Sequence, residues 1–234
     1  MKIITWNCNG AFRNKYSSLD CFNADVLVIQ ECENPFISND VSYKHFAKNH
    51  IWIGNNKHKG LGIFAKEEIK IKSLDWSNIY ETHPVNYFLP VQINHTQTLI
   101  AVWAHHNNSP TFGYIGQLWK YLQINADKLK NSIIIGDFNS NKIWDCWDRW
   151  WNHSEVVNIL KNNGIESAYH KLYNENHGEE VQKTFFLHRN HLKAYHIDYC
   201  FLPTSLLQET TKIEIPNFEN WKSLSDHLPL IIEY

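Results

Sequence analysis

Apolar residues gather in short runs rich in β-branched and aromatic side chains. These runs predict strands at 3–6, 26–30, 51–53, 62–65, 87–93, 99–104, 133–135, 197–201 and 228–232. A different spacing governs Ile115, Leu118, Trp119, Leu122, Ala126 and Leu129, which recur every three or four residues and predict an amphipathic helix packed on a sheet. A second helix is expected from Ser154, a suitable N-cap, through Val156, Val157 and Leu160 to a stop near Gly164, and a third over 15–22. Strands that follow one another with few helices between them favour an α+β sandwich over a strictly alternating parallel sheet. The Asn, Glu, His and Gly content of 174–182 predicts a mobile surface loop. No repeat or Pro/Gly-rich linker divides the chain, and its length suits one hydrophobic core, so residues 1–234 are expected to form a single domain.

A hydrophobic share of 43% and a charged share of 20% exclude a disordered tail and an integral membrane protein. With 22 Lys and Arg against 24 Asp and Glu there is no strong basic field to draw the chain onto nucleic acid or an anionic membrane. Local basic groups, Lys57-His58-Lys59 or His188-Arg189, can still face phosphates. The five cysteines are scattered, without a C-x-x-C pair, and are expected to be reduced. No apolar N-terminal stretch is long enough for a signal peptide or a membrane span, so the cytoplasm is the expected compartment.

Polar side chains that no core explains stand at the strand ends. Asn7 and Asn9 follow the first run and Glu31 the second; His105 and Asn108 follow 99–104, and Asp137 and Asn139 follow 133–135. Asp198 lies within 197–201, and Asp226-His227 precede the last run. Singly, each has a plain explanation: Asp137-Phe138-Asn139 and Asn7-Cys8-Asn9-Gly10 are good turn sequences, and Glu31 alone is more often a solvated strand end. The coincidence of several such groups in order is harder to assign to turns. Of the 14 histidines, His153, His170 and His196 carry no spacing argument, and a structural or surface role is expected for each.

Taken together, Trp6-Asn7-Cys8-Asn9-Gly10, Gln30-Glu31, Gly136-Asp137-Phe138-Asn139, Ile197-Asp198-Tyr199 and Ser225-Asp226-His227-Leu228-Pro229 resemble the motifs of the endonuclease/exonuclease/phosphatase (DNase I-like) superfamily, which includes exonuclease III-type abasic-site endonucleases. The resemblance spans nearly the whole chain. It implies a four-layered α/β sandwich of two mostly antiparallel sheets flanked by helices, and hydrolysis of a phosphate ester by an in-line water with Mg2+ or Mn2+. It also implies Glu31 and Asn7 as metal ligands, with Asp226 completing that site or else capping His227. Asp137 is placed to align and deprotonate the water, with Asn139 on the phosphate or on that water. His227 would hydrogen-bond a phosphate oxygen while Asp198 fixes its tautomer; the base role falls to Asp137 or, alternatively, to His227. Asn9, His105 and Asn108 fall at phosphate- or leaving-group-contacting positions, with His106 an alternative register for His105.

Phe185, in Thr184-Phe185-Phe186, and Tyr195 resemble the aromatic walls that abasic-site endonucleases place around an extruded sugar, although a buried strand reads the same way. A nuclease acting on DNA more than RNA is therefore the leading expectation. A phosphatase or phosphodiesterase of a small molecule, nucleotide or lipid headgroup is the alternative, and a non-catalytic module is disfavoured by the intact acidic and histidine set. Neither a membrane nor an obligate protein partner is expected.

Overall fold

The structure is a computed structural model that describes residues 1–106 and 112–234. Its first half contains β1 (Lys2–Asn7), β2 (Val26–Cys32), α1 (Val41–Phe46), β3 (His50–Asn56), β4 (Lys59–Ala65), β5 (Ile71–Ser73), β6 (Ile79–Tyr80), β7 (His83–Pro84), β8 (Phe88–Ile93) and β9 (Gln97–Trp103). There follow α2 (Ile115–Ile124), β10 (Ser132–Asp137), α3 (His153–Asn162), β11 (Ile165–Ser167), α4 (Ala168–Tyr173), β12 (Phe185–Phe186) and β13 (Ala194–Tyr195). The chain then forms β14 (Asp198–Pro203), α5 (Thr204–Glu209), β15 (Lys212–Glu214), α6 (Phe218–Trp221) and β16 (Leu230–Glu233).

Twelve of these strands make two six-stranded sheets, ordered β15-β16-β1-β2-β4-β3 and β11-β14-β10-β9-β8-β5. Each is antiparallel except at its centre, where β1 runs parallel to β2 and β10 parallel to β9. Residue alternation explains the layering, because successive side chains on a strand point to opposite faces. On β1, Ile3 joins a core shared by both sheets while Ile4 and Trp6 face an outer core with Phe12, Tyr43 and Trp221. On β10, Ile133 and Ile135 enter the shared core while Ile134 packs outward against Leu118, Leu122 and Leu160 of α2 and α3. Three apolar layers with helical cover on both outer faces produce the four-layered sandwich; each fully buried Val, Leu, Ile or Phe contributes about 1.5–3 kcal/mol.

Several elements depart from their sequence reading. Residues 16–22 form a 3-10 helix, and α2 ends at Ile124 with Leu129 beyond a separate 3-10 turn. Helix α3 starts at His153, one residue before the expected cap, because the Asp145 carboxylate accepts from both His153 N and Ser154 N at 2.8 and 3.1 Å. The last strand starts at Leu230, since Leu228 N donates instead to Thr184 O and Pro229 has no N–H to give. Residues 174–182, expected to be a mobile loop, are anchored by the buried carboxylate of Glu180, which accepts from Gly178 N and from Asn141 Nδ2. Among the described residues no helix is long and apolar enough to cross a membrane.

Candidate active site

The two parallel pairs bring the C-terminal ends of β1, β2, β9 and β10 to one rim of the sandwich. Their antiparallel neighbours bring the start of β14 and the approach to β16 there too. Strand parity then selects the side chains. Asn7 shares the inner face with Ile3 and Thr5, Asp137 with Ile133 and Ile135, and Asp198 with Cys200 and Leu202. Where the shared core reaches this rim, polar groups replace the apolar layer. Asp137 and Asp198 are direct register partners on β10 and β14. On its other side β10 lies close against β9 at Gly136: its φ is +148°, and a Cβ there would lie 1.9 Å from Val102 O.

Asp137, Asp198 and His227 offer ligand-type atoms all within 4.8 Å of one another, and all three residues are buried. Asp137 Oδ2 accepts from Asn7 Nδ2 and Asn139 Nδ2, both at 3.0 Å, and its Oδ1 accepts from Asn139 N at 2.8 Å. Burial pushes the Asp137 carboxyl well above the usual carboxylate range; the nearby His227 charge opposes this and Asp198 adds to it. His227 Nδ1 lies 3.0 and 3.2 Å from the two Asp198 oxygens. Burial alone would lower the His227 pKa, but Asp198, by charge and hydrogen bond, outweighs it and raises the imidazole to about 9. Asp198 is in turn held by Thr184, whose Oγ1 accepts from Ile197 N and Asp198 N. The backbone of His227 is oriented by Ser225, whose Oγ accepts from His227 N at 3.0 Å and donates to Asn7 O at 2.7 Å. Ser225, not Asp226, is thus the residue that caps His227. Asp226 instead accepts from Asn9 Nδ2 at 3.1 Å and lies at the rim.

Glu31 does not touch this cluster. Its chain neighbour Gln30 pairs in register with Asn7, which sets Glu31 beside the same rim. A β-bulge between Gln30 and Cys32, with Glu31 at φ +61°, breaks the alternation of β2 and leaves Glu31 without a ladder partner on β4. Its Oε2 accepts from Lys59 Nζ at 2.5 Å. The Glu31 carboxylate already faces a positive charge. Glu31, Asp226 and the Asn7 amide are oxygen donors of the kind a hard divalent cation takes, and this chemistry fits Mg2+ or Mn2+. The Asp137–Asp198–His227 group suits such an ion less well, because each member is buried and already bonded to its neighbours.

His105 packs its ring on Trp103 and Tyr87, with centroids 5.0 and 5.4 Å away, and the preceding residue, Ala104, binds Asp137 O through its N–H and Asn139 Nδ2 through its carbonyl. Asn108 lies outside the described residues. Phe185 places its ring 4.6 Å from the His227 ring, and Tyr195 stacks at 6.4 Å from Phe185. Both are half-buried. The wall continues to Trp144, 5.0 Å from Tyr195. Sequence reading missed this extension. A cavity of about 640 Å³ opens beside Asn139 and is lined by Tyr114, Trp144, Arg149 and Trp151. Above it Trp147 and Trp150 are 98% and 60% exposed, on a loop fixed by Asn152, which bonds Cys146 N, Cys146 O and Arg149 O. The signal was present: four of the ten tryptophans fall between 144 and 151.

Comparison with solved structures finds the same architecture. The chain superposes on an AP endonuclease from Archaeoglobus fulgidus (TM-score 0.73, 16% identity, 100% of this chain and 99% of that one). It also superposes on the 3′ phosphatase NExo from Neisseria, bound to product DNA hairpin (TM-score 0.69, 17% identity, 100% and 99%). A third match is the APE2 catalytic domain of Xenopus laevis (TM-score 0.64, 16% identity, 100% and 91%). No curated protein matches by sequence. The Endonuclease/Exonuclease/phosphatase family model matches residues 4–227, from the first strand to the histidine at the rim, and this chain therefore belongs to the Endonuclease/Exonuclease/phosphatase family of hydrolytic enzymes.

Proposed function

We propose that the protein is a divalent-metal-dependent phosphoesterase that hydrolyses phosphate esters of DNA, with residues 1–234 acting as one domain. The observation that carries this reading is the pairing of opposite proton affinities within one buried cluster. Asp137 is a carboxyl made more basic than usual, and His227 an imidazole kept charged, side by side. A base near neutrality is what removal of a proton from water needs, and a fixed cation is what a phosphate oxygen needs.

Glu31 and Asn7 are the residues we assign to Mg2+ or Mn2+, with Asp226 completing the set. When bound, such an ion supplies charge neutralisation for the phosphate and the leaving oxygen. Asp137 takes the proton of the attacking water, held in position by the Asn7 and Asn139 amides. His227, its Nδ1 committed to Asp198, offers the remaining N–H to a non-bridging oxygen. Asn9, His105 and Asn108 are assigned to the phosphate or leaving group. Phe185 and Tyr195, extended by Trp144, offer π-faces to a sugar or base. The DNA substrate is supported by this aromatic wall and by the nucleic-acid enzymes that share the fold. A cytoplasmic setting belongs to the same reading, supported by five cysteines that stand as free thiols.

The test is to incubate the protein, with and without Mg2+ or Mn2+, with abasic-site duplex, 3′-phosphorylated DNA, plain DNA, RNA and small phosphate esters. Metal-dependent turnover of a DNA substrate is expected, falling roughly 10³-fold in Asp137→Asn. Equal behaviour of wild type and variant on every substrate would reject the catalytic assignment. Glu31→Gln is expected to raise the metal concentration needed for half-maximal rate at least tenfold while shifting the melting temperature by no more than about 2 °C.

A further inference from the structure

Between β10 and α3 the chain leaves three tryptophans in water. Trp144 and Trp150 are about half-exposed and Trp147 is almost wholly so, all on one short loop. Large apolar side chains exposed together mark a contact surface. The loop is held firmly: Asn141 Oδ1 accepts from Ile143 N at 3.1 Å, Asp145 caps α3, and Asn152 bonds both Cys146 and Arg149. Its rings are therefore in place before any partner arrives, and little freedom is lost on contact.

Position and charge identify the occupant. Aromatic rings lead from the catalytic cluster to the loop: His227 to Phe185 at 4.6 Å, Phe185 to Tyr195 at 6.4 Å, and Tyr195 to Trp144 at 5.0 Å. Trp144 then lines the 640 Å³ cavity with Tyr114, Trp151 and Asn139, whose amide bonds Asp137. This volume lies in the range of small-ligand pockets, about 300–1,000 Å³. A separate protein seated there would cover Asn139, so the occupant is part of the substrate. Asp145 and Asp148 stand on the walls beside Arg149, and among the described lining residues no Lys or second Arg joins them. Such walls give a phosphate no net attraction. A nucleobase is uncharged, offers a π-face to tryptophan and can pair its edge with Asp148 or Arg149.

We propose that residues 144–151 form a platform on which unpaired bases of a DNA strand stack beside the phosphate being cleaved; the inference rests on the DNA-phosphoesterase reading given above. Inside a duplex both faces of a base are covered by its neighbours, so the tryptophans meet bases only where the strand is single or frayed. The substrate class is therefore DNA with an unpaired flank, a single strand or an overhang, in preference to a blunt duplex. Trp144, which continues the Phe185–Tyr195 wall, takes the base nearer the scissile phosphate, and Trp147 and Trp150 take bases beyond it.

The test presents one DNA sequence to the full chain in Mg2+ as a single strand, as a duplex with an overhang and as a blunt duplex. The wild type is expected to show a KM for the single strand at least roughly tenfold below that for the blunt duplex. Trp147→Ala and Trp150→Ala should each raise the single-strand KM roughly tenfold and leave kcat on the blunt duplex unchanged, with Trp147→Phe recovering most of the loss. Trp147 is so exposed that its loss should move the melting temperature by no more than about 2 °C. In metal-free buffer a single strand should quench the tryptophan fluorescence of the wild type. An oligomer of abasic deoxyribose phosphates, which keeps the charge and lacks the bases, should not. Equal KM values for single strand and blunt duplex, or a single-strand KM that neither tryptophan variant moves, overturn the inference. Both leave the catalytic reading standing, since that reading is judged on metal-dependent turnover lost in Asp137→Asn. A wild type that sediments as a dimer, with Trp147→Ala a monomer of unchanged KM, also overturns it and assigns the loop to a second copy of the chain. Absence of all DNA hydrolysis defeats the catalytic reading instead, and the fluorescence quench still decides whether the loop stacks bases.

Discussion

His227 and Asp198 show how two residues can move the behaviour of the folded state with pH. In the native protein His227 keeps its proton to about pH 9, against 6.5 for an ordinary histidine. Between those values the folded state holds the proton more tightly than the unfolded chain does. The stabilisation from this group is therefore complete below about pH 6.5 and is lost as pH rises through 9, up to about 3 kcal/mol in all. Asp137 acts in the same sense over a more acidic window: its carboxyl is raised, so its contribution to stability falls as pH climbs from 3.8 towards its folded value. In metal-free buffer the melting temperature is expected to decline from pH 6.5 to 9, and Asp198→Asn should flatten that decline. An unchanged slope in Asp198→Asn would mean that the carboxylate does not hold the proton on His227.

At the scale of elements, the short β12–β13 hairpin positions the site although it lies in neither main sheet. Thr184, just before it, is fully buried and accepts from two consecutive amides, while its own carbonyl accepts from Leu228 N. Thr184→Val keeps the shape and orphans both amides, so a loss of roughly 2–4 kcal/mol in urea unfolding is expected, together with a fall in kcat; Thr184→Ser should restore both. Gly136→Ala is expected to cost more than about 3 kcal/mol, from the overlap with Val102 O at an unfavourable φ, as read by the same unfolding curve.

These elements also show what the sequence could and could not disclose. Strands were legible because both faces of a central strand meet an apolar layer, so Ile3-Ile4 and Ile133-Ile134-Ile135 stand out as continuous apolar runs, whose faces only the packing assigns. Asn7, Asp137 and Asp198 were legible as polar residues at or within the apolar runs that no core explains. The bulge at Glu31 was not, because it exists only in the pairing of β2 with β4. Nor was the anchoring of 174–182: Glu180 is buried by partners as distant as Asn141, and no local spacing encodes that. The start of α3 moved for the same reason, since Asp145 caps it from eight residues away.

Over the whole molecule a net charge of −2 hides an uneven distribution. Lys15, which donates to Cys8 O, lies within electrostatic reach of Arg189 and Asp226, and Lys59 sits on Glu31, so cations border the acidic rim. Binding to DNA should weaken as salt rises, and Arg189→Ala should lower the slope of log affinity against log salt by about 1 without changing the sequence preference. A slope equal to that of the wild type would remove Arg189 from the phosphate path.

The pairing of β1 with both β2 and β16 has a temporal consequence. Synthesis delivers Asn7 more than two hundred residues before Ser225 and His227, yet the segments must meet across the β1–β16 pairing before the rim cluster exists. The polar cluster at the rim is therefore assembled only when residues 225–233 have docked on β1, so unpairing that strand is enough to take the rim apart.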